Sequence, residues 1–176
     1  PADDAIYLDA TFGNGGYSRA LLEAANCKVA AIDRDPEAIQ RGQPMLEDFA
    51  GRFSLVEGCF SKMAGLIGSK TQLAGAAFDL GVCSTQLNQP ERGFSFRRDG
   101  PLDMRMSKSG ESAADVVMQT DEQTLAQILW EYGEEKSSRR IAKAIVSARR
   151  NDPITTTTQL AAIIHAVMPA KRPGQI

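Results

Sequence analysis

Histidine is nearly absent from this chain, with one in 176 residues, and its three cysteines, Cys27, Cys59 and Cys83, form no Cys-x-x-Cys pair. A single histidine argues against a histidine-based metal site, and the cysteine spacing is not that of a metal cluster. The thiols read as free, in a reducing compartment such as the cytoplasm. No apolar run approaches the roughly 20 residues of a membrane-spanning helix. A large excess of either charge is missing too: the net charge is −2, which argues against the overall basicity of a general nucleic-acid coat. What is present is a hydrophobic content of 43%, enough for a buried core in one domain or a domain with an appendage. Basic charge is concentrated rather than spread. Lys136, Arg139, Arg140, Lys143, Arg149 and Arg150 fall within 136–150 with no acid among them. Such a run is either a solvated helix face or a stripe facing phosphates.

The first half alternates short apolar runs with helical patterns. Ala5–Leu8 leads into Asp9, the glycine-rich turn Thr11-Phe12-Gly13-Asn14-Gly15-Gly16 and a helix over Ser18–Ala25. Val29–Ile32 then ends in Asp33. Strand, glycine turn, helix, strand and acid in this order place backbone amides and a carboxylate around a nucleotide-like ligand. Asp33 lies 17 residues after Gly16, near the offset at which a carboxylate meets ribose hydroxyls. The third glycine of the dinucleotide fingerprint is absent, which disfavours a nicotinamide-dependent oxidoreductase. Asp35-Pro36 reads as a helix N-cap and first turn, with Pro44 expected to end or kink the helix near Gln43. Phe53–Glu57 is a third strand, with Cys59-Phe60 just past its end. Ala74–Leu80 is a fourth, with Asp79 at its carboxyl end. Ligands of open α/β sheets bind outside the carboxyl ends of the strands, where Asp9, Asp33, Phe60 and Asp79 all fall.

Residues 79–106 fit neither a period of 2 nor one of 3.6. Arginines, acids, glycines and prolines alternate there with Phe94, Phe96, Leu102 and Met104. Long irregular segments of compact domains are usually functional or disordered, and the aromatics and methionines argue against disorder. After Met106 only helical patterns remain. Ser107–Gly110 is a polar linker. Thr120-Asp121-Glu122-Gln123 is a capping box ahead of a stripe of Leu125, Ile128, Leu129 and Tyr132. Trp130 is expected in the core. Ile141, Ala144, Ile145 and Ala148 form a second stripe, on the basic helix. Thr156-Thr157-Thr158-Gln159 caps a last helix, which carries His165 as a surface or packing residue and is stopped by Pro169.

The run Pro90-Glu91-Arg92-Gly93-Phe94-Ser95-Phe96-Arg97, followed by Asp99-Gly100-Pro101-Leu102-Asp103-Met104-Arg105-Met106, resembles the near-signature of the RsmH/MraW family. These are bacterial methyltransferases that modify N4 of a cytidine in 16S ribosomal RNA, with a mitochondrial branch acting on the small-subunit rRNA there. The match is long and specific, and weaker resemblance extends over nearly the whole chain. It implies an α/β fold: a partial Rossmann-like class I methyltransferase sheet in residues 1–106 and an inserted all-helical substrate-recognition module in 107–176. It further implies S-adenosylmethionine as cofactor, small-subunit rRNA as partner, no metal and a cytoplasmic location. The family's cofactor positions carry over onto Gly13, Gly15, Gly16 and Tyr17 in the first loop, Asp33 on the ribose, Phe60 by the adenine, and Asp79 and Gln86 in the fourth-strand motif. Asp79 and Asp103 are the expected catalytic carboxylates. Arg92, Phe94, Arg97, Arg98, Arg105, Arg139 and Lys143 are the expected substrate contacts. Tyr17 stands where His is common and Cys83 where Ser is usual. A non-catalytic RNA-binding module of the same fold is the alternative.

A doubly wound methyltransferase sheet normally has further strands after the fourth, and the sequence shows none. The chain therefore reads as a fragment. Its fourth strand is expected at a bare edge, which could pair with a second copy to give a dimer.

Overall fold

Four parallel strands and eight α-helices make up the described part, residues 1–168, of the computed structural model. Pro169 lies outside the described residues. The chain divides into two units: Pro1–Cys83 with Met106–Lys108, and Ser84–Arg105 with the residues from Ser109 on.

In the first unit β1 (Ile6–Asp9), α1 (Gly16–Ala24), β2 (Lys28–Asp33), α2 (Pro36–Asp48), β3 (Phe53–Glu57), α3 (Met63–Ile67) and β4 (Gly75–Ala77) alternate. The sheet is wholly parallel in the order β3-β2-β1-β4. This is a Rossmann-like order, and its direction reverses between β1 and β4, where such folds open a crevice. The period of 2 decides which residues face which layer. Val29 and Ala31 pack with Phe12, Leu22, Ala38, Met45 and Phe53 on one face. Leu8, Ala10 and Ile32 pack with Phe60, Leu66 and Ile67 in the other cluster. Each fully buried large apolar side chain contributes about 1.5–3 kcal/mol.

Two boundaries differ from the sequence reading. Pro44 does not stop α2, which runs on to Asp48. A proline inside a helix costs about 3 kcal/mol, but stopping there would take Met45 out of the core, where it is 5% exposed. β4 covers three residues rather than seven. Its neighbour β1 ends at Asp9, and after the bond from Ala10 N to Ala77 O there is no strand left to pair with. Among the described residues β4 pairs with β1 alone, and the helical region 107–168 supplies no strand to the sheet. Lys108 ion-pairs with Glu37, so the linker after the signature returns to α2.

The second unit contains α4 (Ser84–Asn88), the signature segment, α5 (Ala113–Gln119), α6 (Glu122–Glu131), α7 (Ser138–Ala148) and α8 (Thr157–Val167). Leu102, Val117, Leu125, Ile141, Ala142, Ile145 and Ile154 form its buried core. The boundary between units lies earlier than the expected 106, because Leu102 of the signature is 1% exposed within this helical core. Thr120 closes α5, and Asp121 is the residue that caps α6, accepting from Thr124 N at 3.0 Å. Trp130 is not core. It is 56% exposed, because a residue five positions after the buried Leu125 falls on another side of the helix. Tyr132, at the C-cap of α6, is exposed as well. Thr156 caps α8 in a capping box with Gln159.

Candidate functional site

The carboxyl ends of β1, β2 and β4 and the glycine turn form one hydrogen-bonded cluster in the first unit. Asp33 ends β2 and clamps the turn. Its Oδ2 accepts from Gly13 N at 2.7 Å and its Oδ1 from Asp35 N at 2.9 Å. Gly15 N donates to Phe12 O at 2.7 Å, and Phe12 N to Ile32 O at 3.0 Å, so the turn is tied to β2. Gly15 has φ 77°, and a Cβ there would lie 2.7 Å from the Phe12 ring and 2.9 Å from Met45 Sδ. Only glycine suits both the left-handed conformation and the close approach. The space over Gly16, where α1 begins, is open. Amides at such a helix start accept an anionic or polar ligand. Tyr17, next on α1, is 55% exposed.

Asp9 is fully buried at the end of β1. It accepts from Ser18 Oγ at 2.7 Å and from Thr11 N at 3.3 Å. Burial pushes its carboxyl above the usual range, and the Ser18 hydroxyl opposes that shift. Thr11 Oγ1 accepts from Asp79 N at 2.8 Å, which joins the glycine turn to the chain after β4. The Asp79 side chain is exposed. Phe60, just past β3, packs on the Leu8 cluster and meets Phe78 edge-on, with ring centroids 5.8 Å apart. Phe78 itself is 44% exposed. Gly13, Gly15, Gly16, Tyr17, Asp33, Phe60 and Asp79 are thus all found in one unit. Gln86 is not among them: it is buried on α4 in the second unit.

The signature segment is fastened to the helical unit by its own charged residues. Arg92, buried to 4% exposure, donates to Arg105 O at 3.1 Å and lies over the Phe94 ring at 5.8 Å. Arg105 grips Asp103 through Nε and Nη2, the latter at 2.6 Å, and reaches Gly110 O at 3.1 Å. The Arg105 guanidinium holds the Asp103 carboxyl below its usual range. The carbonyls of Leu102 and Asp103 accept from the first amides of α5, and Leu102 N donates to Thr155 O at 2.8 Å. Asp99 receives Thr158 Oγ1 at 2.5 Å. A Cβ on Gly93, at φ 73°, would collide with the Pro101 carbonyl. Arg92, Arg105 and Asp103 therefore hold the loop's shape. Arg97, Arg98 and Phe96 are exposed on it, with Arg98 donating to Asn88 O at 2.6 Å. Arg139 and Lys143 are exposed on α7, opposite its buried Ile141 and Ile145. Arg149 instead donates to Val117 O, and Arg150 follows the helix end, so the basic run is not one continuous stripe.

Sequence reasoning missed three contributors: Ser18 on Asp9, Thr11 under Asp79, and Phe78 against Phe60. The only signal for Ser18 was a polar residue on the inward side of α1. Nothing in the spacing links Thr11 to Asp79, 68 residues away.

A ribosomal RNA small subunit methyltransferase H from Paramagnetospirillum magneticum is 53% identical over 99% of this chain, which covers 55% of that protein. Its namesake from Gluconobacter oxydans is 57% identical over 94% of this chain and is covered to 51%. The chain thus spans about half the length of the curated relatives it matches. An rRNA methylase structure from Streptococcus thermophilus covers 48% of this chain and is covered to 51%, at 28% identity and a TM-score of 0.39. The model of the MraW methylases matches residues 1–175. With the signature segment and the glycine turn both in place, the chain belongs to the MraW methylase family.

Proposed function

We propose that this chain carries the S-adenosylmethionine site and the RNA-contacting module of a methyltransferase acting on the exocyclic N4 of a cytidine in small-subunit ribosomal RNA. The observation that carries the reading is the Asp33 clamp on the glycine turn, at the carboxyl ends of β2 and β1. A carboxylate offers about four lone-pair sites, and Asp33 uses two on Gly13 N and Asp35 N. The remainder suit the two hydroxyls of a ribose. The open face over Gly16 admits the rest of a nucleoside, and Phe60 with Phe78 offers an aromatic edge for adenine. The residues present therefore fit the cofactor, which when bound supplies an electrophilic methyl group on a sulfonium.

The amino group of cytosine is a poor nucleophile, because its lone pair is delocalised into the ring. Orientation is then most of the catalytic task, and an acceptor for the departing N–H proton is the rest. Asp79 suits that acceptor role: its carboxylate is exposed while its backbone is pinned by Thr11. Asp103 is occupied by Arg105 and acts as a positioning group for the signature loop. The target base must leave its stack at a cost of a few kcal/mol. Exposed Arg97, Arg98, Arg139 and Lys143 supply cations for the RNA backbone. The three cysteines form no disulfide among the described residues, in keeping with action in a reducing compartment such as the cytoplasm.

Small-subunit RNA incubated with tritiated S-adenosylmethionine and the protein, then digested to nucleosides, tests the reading. Label in N4-methylcytidine supports it. Label in a different nucleoside overturns the assignment of the acceptor atom. RNA binding without transfer supports a non-catalytic module instead.

A further inference from the structure

The groove between α6 and α7 is a built surface that the cofactor cluster does not use. It encloses about 1030 Å³ and is lined by Gln123, Trp130, Lys136, Ser138, Arg139 and Arg140, among others. Two features suit it to a ligand. First, Trp130 is 56% exposed on a helix whose apolar stripe is already satisfied by Leu125. An exposed indole beside cations offers a stacking face for a base. Second, the first turn of α7 carries Arg139 and Arg140 and no acid. The amino end of a helix is its positive pole and favours anions, so two arginines there oppose the helix and would be relieved by an anion from outside.

Lys136, Arg139 and Arg140 form no ion pair among the described residues. Glu122 is the acid lining the groove. Two neighbouring acids are engaged elsewhere, Glu131 with Gln127 Nε2 at 2.8 Å and Glu135 with Ser137 N at 2.6 Å. The lining is therefore net positive. Its fixed elements are one flat indole and a cluster of cations. That combination matches single-stranded nucleic acid: a base stacks on the aromatic ring, and the adjoining phosphate meets the cations.

We propose that this groove is a nucleotide-binding site for single-stranded RNA, in which a base stacks on Trp130 and its phosphate sits at the start of α7 against Ser138, Arg139 and Arg140. The site lies wholly within the helical unit and fixes the RNA at a point outside the methyl-transfer cluster. The proposal rests on the RNA-methyltransferase reading above.

The chain contains a single tryptophan, so its intrinsic fluorescence reports on this groove alone. The test is a titration of the protein with a short unstructured oligoribonucleotide, following tryptophan emission and, in parallel, the anisotropy of end-labelled RNA. Saturable quenching with the same midpoint as the anisotropy is expected. Trp130→Ala should weaken RNA binding about tenfold, the scale of one lost base–aromatic stack, whereas Trp130→Phe should remain within about threefold of the parent. Arg139→Glu with Arg140→Glu should abolish quenching while leaving S-adenosylmethionine affinity unchanged, which excludes misfolding. RNA binding by anisotropy without quenching places RNA elsewhere and overturns this site, leaving the methyltransferase reading intact. No RNA binding by either signal, with cofactor binding retained, overturns both the groove and the RNA substrate. Equal quenching by polyglutamate at matched salt shows an acidic protein surface as the partner and also overturns the proposal.

Discussion

Replacing Asp33 by Ala separates two jobs that the structure gives one carboxylate. As a clamp, Asp33 holds Gly13 N at 2.7 Å and Asp35 N at 2.9 Å. Hydrogen bonds to a charged group contribute about 1.5–3 kcal/mol each when well shielded. Asp33 is only half-buried, so water can replace part of the lost acceptor, and a net loss of about 1.5 kcal/mol is the working figure. For a chain of this size that lowers Tm by about 3–6 °C, within a total stability of about 5–15 kcal/mol. As a ligand, Asp33 accepts from ribose hydroxyls. Losing those bonds costs a further 1.5–3 kcal/mol or so, which is tenfold or more in Kd. The fold should therefore survive but weaken, and cofactor affinity should fall by more than the stability loss explains. Chemical denaturation of the unliganded variant measures the clamp, and calorimetric titration with S-adenosylmethionine below the melting transition measures the ligand. An unchanged Kd alongside reduced stability would refute the ribose assignment and leave Asp33 as a loop clamp only. Unchanged stability would refute the clamp.

Gly15→Ala should cost about 2–5 kcal/mol, from a left-handed residue with a side chain and a Cβ driven into Phe12 and Met45; urea denaturation checks it, and a loss below about 1 kcal/mol would contradict the packing described. Ser18→Ala should push the Asp9 carboxyl still higher, because it removes the hydroxyl that opposes the effect of burial; carbon-13 NMR titration of the carboxyl reads the direction. The Asp103 carboxyl is depressed by Arg105, so its pairing stabilises the fold above the ordinary carboxylate pKa of about 4 and is lost as pH falls through the depressed value. The stability gap between wild type and Asp103→Asn, measured by denaturant melts, should accordingly close as the pH is lowered through that range. Reversing Arg139 and Lys143 to Glu should weaken RNA binding and flatten its dependence on log salt; an equal loss of cofactor affinity would indicate misfolding instead.

Local chemistry made much of this protein legible from its residues alone. The β1-turn-α1-β2 unit could be read because Gly13, Gly15 and Gly16 sit between two apolar runs, each ending in an acid. The caps at Asp35 and Thr156 could be read because a helix start is satisfied by side chains within three residues. The signature from Pro90 to Met106 identified the family by its words, though not by any periodicity. Tertiary packing decided the rest. Pro44 stays inside α2 because Met45 belongs to the core, a fact set by a sheet contributed by other segments. The signature loop joins the helical unit because Leu102 is buried there and Asp103 and Arg105 pair with each other. Its charged residues, which read as substrate contacts, are in part internal fastenings. The clamp from Asp33 to Gly13 and the bond from Thr11 to Asp79 connect residues 20 and 68 positions apart, distances over which no local pattern in a chain carries information. Trp130 went from expected core to exposed surface for the same reason: hydrophobicity says that a side chain can be buried, but only the arrangement of neighbouring helices determines whether anything is there to bury it.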